Sequence, residues 1–129
     1  MPYTAITSKG SQQWKLQQVA YTGDYGIRQV NGRFCIAVGS AYTSKIGQYI
    51  DLVLENGTVI PCILADQKAD KDTNSENTIT EHDGSLVEFV VSSSNLSKTV
   101  KRMGDISYAA NGWNSMITQV VVYDEMADY

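Results

Sequence analysis

The 129-residue sequence is poor in the residue types that build metal centres and membrane spans. It has two cysteines, two prolines and one histidine. Two cysteines and one histidine are too few for a structural zinc site, which usually takes four such ligands. No apolar run approaches the ~20 residues of a membrane-spanning helix. The sequence therefore predicts neither a metal centre nor a membrane span.

Basic residues are also scarce, with ten Lys and Arg against fourteen Asp and Glu, and the formal net charge is −4. A nucleic-acid-binding surface normally shows a basic stripe. The densest basic cluster here is Lys98, Lys101 and Arg102, and it has no aromatic or glycine-rich companion, so we interpret it as a solvated face. The glycines are spaced as turn residues, without a phosphate-binding loop. We expect no nucleic-acid partner and no cofactor.

Two Asn-Gly pairs mark β-hairpins. Asn31-Gly32 separates the β-prone run 27–30 from the run 33–38, and Asn56-Gly57 separates the run 49–54 from the run 58–64. Asn-Gly is favoured in such turns because both turn residues accept positive φ. With the strand-like segment near residue 90, this pattern predicts strands at 33–38, 48–54, 58–65 and 86–91.

The rest of the chain adds a little helix and one more strand. A helix is predicted over 10–20, with Ser11 as its cap, and a second short helix is predicted from Leu96 to Met103. A final strand is predicted over 116–123. At least five strands with so little helix indicate a single mainly β domain over 1–129, a barrel or a sandwich. We expect a helical extension over about 1–25 and a barrel over about 26–123.

The two cysteines, Cys35 and Cys62, both lie in predicted strands. We interpret them as buried, reduced thiols that pack as small hydrophobic side chains. A single disulfide is the alternative if the domain is exported.

Four segments between Arg33 and Val91, a little under half the chain, follow a recognisable order. They are Phe34-Cys-Ile-Ala-Val-Gly39, Lys45-Ile-Gly-Gln-Tyr-Ile-Asp-Leu-Val-Leu54, Ile63-Leu-Ala-Asp-Gln67 and Gly84-Ser-Leu-Val-Glu-Phe-Val90. This order resembles the 3D domain, a double-psi β-barrel family named for three aspartates. The group includes the lytic transglycosylase A domain, and it occurs in cell-wall proteins of Gram-positive bacteria and their phages. The resemblance implies a six-stranded double-psi β-barrel with one or two short helices.

The resemblance also implies two catalytic residues. Ala65-Asp66 matches the family's Ala-Asp at the end of a strand, and Glu88 falls at the aspartate of the final strand. Gly39 falls near the first aspartate, and Gln67-Lys68-Ala69 replaces the two glycines after the middle one. A lytic transglycosylase needs a carboxylic acid with a raised pKa, and burial raises the pKa of a carboxyl. Without that role, Asp66 caps a loop and Glu88 faces water.

The function implied is recognition of peptidoglycan glycan strands, with lytic transglycosylase cleavage. The alternative is a non-catalytic phage or mobile-element module that is structural or binds the cell wall. The start of the sequence has neither the charged segment nor the apolar stretch of a secretory signal. As a complete product the chain would be made in the cytoplasm; as an excised domain it would be extracellular or wall-associated. The sequence does not predict an oligomeric state.

The polar stretch after Asp66 predicts a mobile surface loop over 68–82 without bound metal. Oxygen side chains from Asp70 to Glu81 follow the ligand spacing of a calcium-binding EF-hand loop. Ser75, however, stands where the sharp turn of that loop needs glycine, so a solvated acidic loop is the preferred interpretation. His82-Asp83 contains the only histidine, and no nucleophile-elbow pattern accompanies it.

Overall fold

The computed structural model describes residues 1–80, 84–97 and 109–129, and in these the protein is mainly β with one α-helix. The helix α1 is Gln12–Val19. The strands are β1 Tyr21–Thr22, β2 Arg28–Val30, β3 Arg33–Val38, β4 Gln48–Leu54, β5 Val59–Gln67, β6 Val87–Phe89 and β7 Ile117–Met126. Single turns of 3-10 helix lie at Tyr3–Ala5, Asp24–Gly26, Asp70–Asp72 and Ser93–Asn95.

The predicted N-terminal helix is confirmed, with slightly shorter bounds. The Ser11 side chain accepts a hydrogen bond of 3.1 Å from the Trp14 backbone N–H, as expected of an N-cap residue. At the other end, Arg28 Nη2 donates to the carbonyls of Gln17 and Ala20, both at 3.2 Å. Both helix ends therefore have side-chain partners, and Leu16 anchors the helix in the core with no exposed surface.

Both Asn-Gly turns form hairpins. Asn31 and Gly32 have φ of 52° and 76°, as a two-residue turn requires, and they join β2 to β3. Gly57, with φ of 87°, turns β4 into β5. The predicted strands 33–38 and 48–54 match β3 and β4. The predicted strand 58–65 starts one residue later and extends to Gln67, and the predicted strand 86–91 is shorter, at Val87–Phe89.

Strand β3 organises the sheet. The strand order is β1-β2-β3-β5-β4-β7, and β6 pairs with β3 as well. The β3–β5 pairing is parallel and the β3–β6 pairing is antiparallel. Within the described ranges no pairing joins β1 to β7, so the sheet is an open path of strands. The closed six-stranded double-psi barrel stays a prediction.

The core lies on both faces of the central strands. Side chains with no exposed surface include Ile36 and Val38 on β3, and Ile63 and Leu64 on β5. Alternation alone would bury one face of each strand. Here successive residues of β3 and β5 are buried, because other parts of the chain, including α1, cover the second face of these strands.

Cys35 and Cys62 are free thiols, and both are fully buried as predicted. The parallel register places Cys62 beside Phe34 rather than beside Cys35. Successive side chains of a strand point to opposite faces, so the two thiols leave the sheet on opposite sides.

Several predictions fall wholly or partly on segments that the structure does not describe. Most of the predicted helix from Leu96 to Met103 lies outside the described residues, and so do Glu81, His82 and Asp83. Among the described helices, none is long and apolar enough to cross a membrane.

Candidate functional site

A β-bulge near the end of β5 sets the direction of Asp66. Ile36 of β3 pairs with Leu64, but the next residue, Ala37, pairs with Asp66, so Ala65 is an extra residue in β5. In an unbroken register Asp66 would pair with Val38, which has no exposed surface. The bulge therefore moves Asp66 from the face of Val38 to the face of Ala37. Bulges commonly redirect a side chain in this way near functional sites.

Glu88 reaches the same place from the other side of β3. In the antiparallel β3–β6 pairing, Ala37 is the partner of Glu88. Asp66 and Glu88 thus flank Ala37 on the two strands next to β3, with their side chains on one face. Two strand spacings separate their Cα atoms by roughly 10 Å. The structure brings together the two carboxyl residues that the resemblance singles out.

These carboxyl groups line a cleft of about 820 Å³. Seven of its ten lining residues have charged or polar side chains. The lining residues are Met1, Ala37, Asp66, Gln67, Lys68, Ala69, Lys71, Asp72, Thr80 and Glu88. A volume of this order is typical of small-molecule sites.

Burial raises the pKa of the Asp66 carboxyl above its ordinary value of 3.8, and the nearby charge of Glu88 raises it further. The Gln67 backbone N–H, which donates to Oδ1 at 2.8 Å, acts in the opposite direction. A hydrogen bond from the Gln13 side-chain amide and the positive charge of the Met1 amino group also lower this pKa. Because desolvation is the largest effect, Asp66 holds its proton to a higher pH than a solvated aspartate.

Glu88 has a different environment, because 51% of its side chain is exposed and it forms an ion pair of 3.4 Å with the Met1 amino group. Exposed ion pairs of this kind contribute little to stability. Asp66 and Glu88 share no hydrogen bond among the contacts of the described residues. Glu88 therefore acts on Asp66 through charge alone.

Lys68 is a cleft residue that no sequence pattern indicated as part of a site. It is only 7% exposed, although it falls in the predicted surface loop over 68–82. Its Nζ donates to Thr80 Oγ1 at 2.8 Å, to the Ser85 carbonyl at 2.6 Å and to Ser85 Oγ at 3.2 Å. These oxygens compensate the loss of water around the ammonium group. In the sequence, Lys68 follows a predicted strand and begins a polar run, and neither feature predicts a buried side chain.

The prediction of a surface loop over 68–82 is wrong at its start and at Thr73, which is 6% exposed. Thr73 forms a β-bridge with Thr80, and its Oγ1 donates to Asn77 Oδ1 at 3.0 Å. Short polar side chains can satisfy a folded loop internally, so a polar run does not by itself imply full exposure.

Gly39, which the resemblance to the 3D domain sets near that family's first aspartate, has surroundings that leave no room for a side chain. A Cβ built on Gly39 would lie 2.1 Å from the Asn77 carbonyl oxygen. The loop that follows β5 therefore packs directly on the backbone at this position. A carboxyl side chain at position 39 would therefore displace this loop.

The calcium-loop spacing does not produce a metal site in the part of the chain that the structure describes. No group of three His, Cys, Asp or Glu side chains there is arranged to hold a metal ion. Asp70, the first position of the pattern, instead accepts a hydrogen bond of 2.6 Å from Ser40 Oγ. The twelfth position, Glu81, is not among the described residues.

The chain was compared with family models, curated proteins and solved structures. No family model, no curated protein and no solved structure matches the chain.

Proposed function

We propose that the cleft binds peptidoglycan glycan strands and cleaves them as a lytic transglycosylase, with Asp66 as the acid. One observation carries this proposal: a bulge directs a half-buried carboxyl with a raised pKa into a cleft, beside a second carboxyl group. A general acid needs a pKa close to the working pH, and burial moves that of Asp66 in this direction.

In the proposed reaction, protonated Asp66 donates its proton to the glycosidic oxygen as the bond from that oxygen to C1 of muramic acid breaks. The Asp66 carboxylate then accepts the proton of the 6-hydroxyl of the same sugar, and O6 bonds to C1. The products are a 1,6-anhydro ring and a free sugar hydroxyl, no water is added, and Asp66 regains its proton. Glu88 raises the proton affinity of Asp66 and does not form a bond.

The proposal includes a six-stranded double-psi barrel as the underlying architecture. The parallel pairing of β3 with β5 supports it, because this pairing links strands from two different hairpins. The proposed target is the wall of Gram-positive bacteria, reached by an exported domain or by a phage-encoded protein.

Mass spectrometry of purified peptidoglycan after incubation with the protein tests the proposal. We expect 1,6-anhydromuramyl products with the natural protein, and about a hundred- to ten-thousand-fold less with Asp66→Asn. Glu88→Gln should cause a smaller loss. Asp124→Asn, on β7 and away from the cleft lining, is the matched control and should keep full activity.

A non-catalytic wall-binding module is the second candidate function, and the crowding at Gly39 favours it, since only two of the family's three carboxyl positions are kept. In this case the natural protein would sediment with insoluble peptidoglycan but release no anhydro products from several wall types. If the natural protein cleaves and Asp66→Asn cleaves equally well, the assignment of Asp66 is wrong.

A further inference from the structure

A second cluster of functional groups crosses four neighbouring strands, away from the cleft. Arg33 lies at the start of β3, and its side chain reaches over β5 to Asp51 on β4. Its Nη1 donates to Asp51 Oδ1 at 2.8 Å and to the carbonyls of Cys62 at 3.1 Å and Ile50 at 3.4 Å. These contacts fix one edge of the guanidinium group against the sheet.

Two tyrosine rings flank this guanidinium group. Arg33 Cζ lies 4.5 Å from the ring centre of Tyr49 and 5.8 Å from that of Tyr123. Each ring is held by its hydroxyl: Tyr49 OH accepts from Asn31 Nδ2 at 3.1 Å, and Tyr123 OH donates to Asp51 Oδ2 at 2.7 Å. We call Arg33, Tyr49, Asp51 and Tyr123 the arginine stack.

Arg33 Nε and Nη2 form the outer edge of the guanidinium group. Within residues 1–80, 84–97 and 109–129, no hydrogen-bond acceptor contacts Arg33 Nε or Nη2. Neither atom is buried without a partner, and 21% of the Arg33 side chain is exposed. The arginine stack thus presents two donor nitrogens, Nε and Nη2, with three N–H groups between them, next to two tyrosine rings.

The charge of the arginine stack decides what kind of ligand suits it. The Asp51 carboxylate, 2.8 Å from Arg33, neutralises the charge of the guanidinium group, and the whole chain has a formal net charge of −4. An anionic ligand would therefore gain little electrostatic attraction at this site. A neutral sugar offers apolar C–H faces that pack on tyrosine rings, and oxygens that accept from a guanidinium group. We propose that the arginine stack is a binding site for neutral oligosaccharides.

This site is distinct from the cleft. Arg33 and Ala37 are four residues apart on β3, which corresponds to roughly 13 Å along the strand. No residue of the arginine stack lines the cleft. Binding at the stack therefore does not require the proposed cleavage, and either can fail without the other.

Titration of the natural protein with a β-1,4-linked tetramer of N-acetylglucosamine, followed by two-dimensional ¹H–¹⁵N NMR, tests the inference. We expect shift changes at Arg33, Tyr49 and Tyr123. Tyr123→Ala should weaken binding and raise the dissociation constant roughly three- to ten-fold, which is the effect expected from the loss of one aromatic contact. Arg33→Lys keeps the charge but removes the paired donors, and it should weaken binding similarly.

Two controls locate the effect. Tyr42→Ala removes a partly buried tyrosine that lies outside both the stack and the cleft lining, and Asp66→Asn changes only the cleft. Both should leave the tetramer's dissociation constant at the stack unchanged. The inference is overturned if the tetramer does not bind at the stack, if Tyr123→Ala and Arg33→Lys bind as the natural protein does, or if tetragalacturonate binds there in preference to the neutral tetramer.

Discussion

Asp66 and Glu88 lie on opposite sides of Ala37, one on each strand that pairs with the end of β3. Their positions in the sequence are 22 residues apart, and only the sheet brings them to one cleft. This relationship depends on a single extra residue, Ala65. Without the bulge, Asp66 would point towards the side of the sheet that Val38 occupies.

The raised pKa of Asp66 makes its charged form a cost to stability. The Asp66 carboxyl has a higher pKa in the folded state than its unfolded value of 3.8. Its contribution to stability is therefore fully present at a pH below 3.8 and is lost as the pH rises through the folded pKa. Asp66→Asn removes the charge and keeps an acceptor for the Gln67 N–H. We expect the variant to unfold at a higher temperature at pH 7, with the difference disappearing below pH 3.8. A variant that is less stable at pH 7 would contradict this.

Core packing between β3 and β5 should dominate stability. Leu64 has no exposed surface, whereas Val59 on the same strand is 52% exposed. We expect Leu64→Ala to lower the free energy of unfolding by about 2–5 kcal/mol. Val59→Ala should change it by no more than about 0.5 kcal/mol. Urea unfolding of both variants measures the difference, and equal effects would argue against this core.

Gly39 is packed so closely against the loop after β5 that the addition of one methyl group at this position should be destabilising. Gly39→Ala places a Cβ 2.1 Å from the Asn77 carbonyl oxygen, so the loop must shift. We expect a loss of about 1–3 kcal/mol in unfolding free energy, together with faster proteolysis of the loop after β5. In Gly32→Ala, where the Cβ meets no neighbour but φ is +76°, the backbone strain should cost about 1–2 kcal/mol and leave the loop protected.

Both cysteines should be unreactive thiols in the folded protein. Burial raises the pKa of Cys35 to about 12 and that of Cys62 well above its ordinary value. A thiol reagent at pH 8 should therefore label neither residue in the native state, since the thiolate is the reactive form. Denaturation without reductant should expose two free thiols. A count of zero would show a disulfide and contradict the placement on opposite faces.

The hydrogen bond from the Tyr123 hydroxyl to the Asp51 carboxylate can be tested by titration of Tyr123. The hydrogen bond to the Asp51 carboxylate is the main reason why the pKa of Tyr123 is raised. Asp51→Asn should therefore lower this pKa towards its ordinary value of 10. Ultraviolet titration of the natural protein and of Asp51→Asn, each compared with its Tyr123→Phe counterpart, isolates the Tyr123 signal. An unchanged pKa would show that the hydrogen bond is absent in solution.

Local signals in the sequence determined much of this fold. Asn31-Gly32 and Gly57 adopt the positive φ that their turns require, Ser11 caps α1, and β3 and β4 have the predicted bounds. Each of these features depends on neighbouring residues alone, through backbone sterics, capping and side-chain alternation. The resemblance that singled out Asp66 and Glu88 likewise depended on residue order along the chain.

Tertiary structure alone decided where those residues point. The parallel pairing of β3 with β5, the bulge at Ala65 and the burial of Lys68 arise from contacts between segments distant in sequence, which leave no local pattern. A shift of one residue in register moves a side chain to the other face of a sheet. The sequence by itself determined that Asp66 lies close to the end of a strand; the packing of β3 between β5 and β6 decided that it shares a cleft with Glu88.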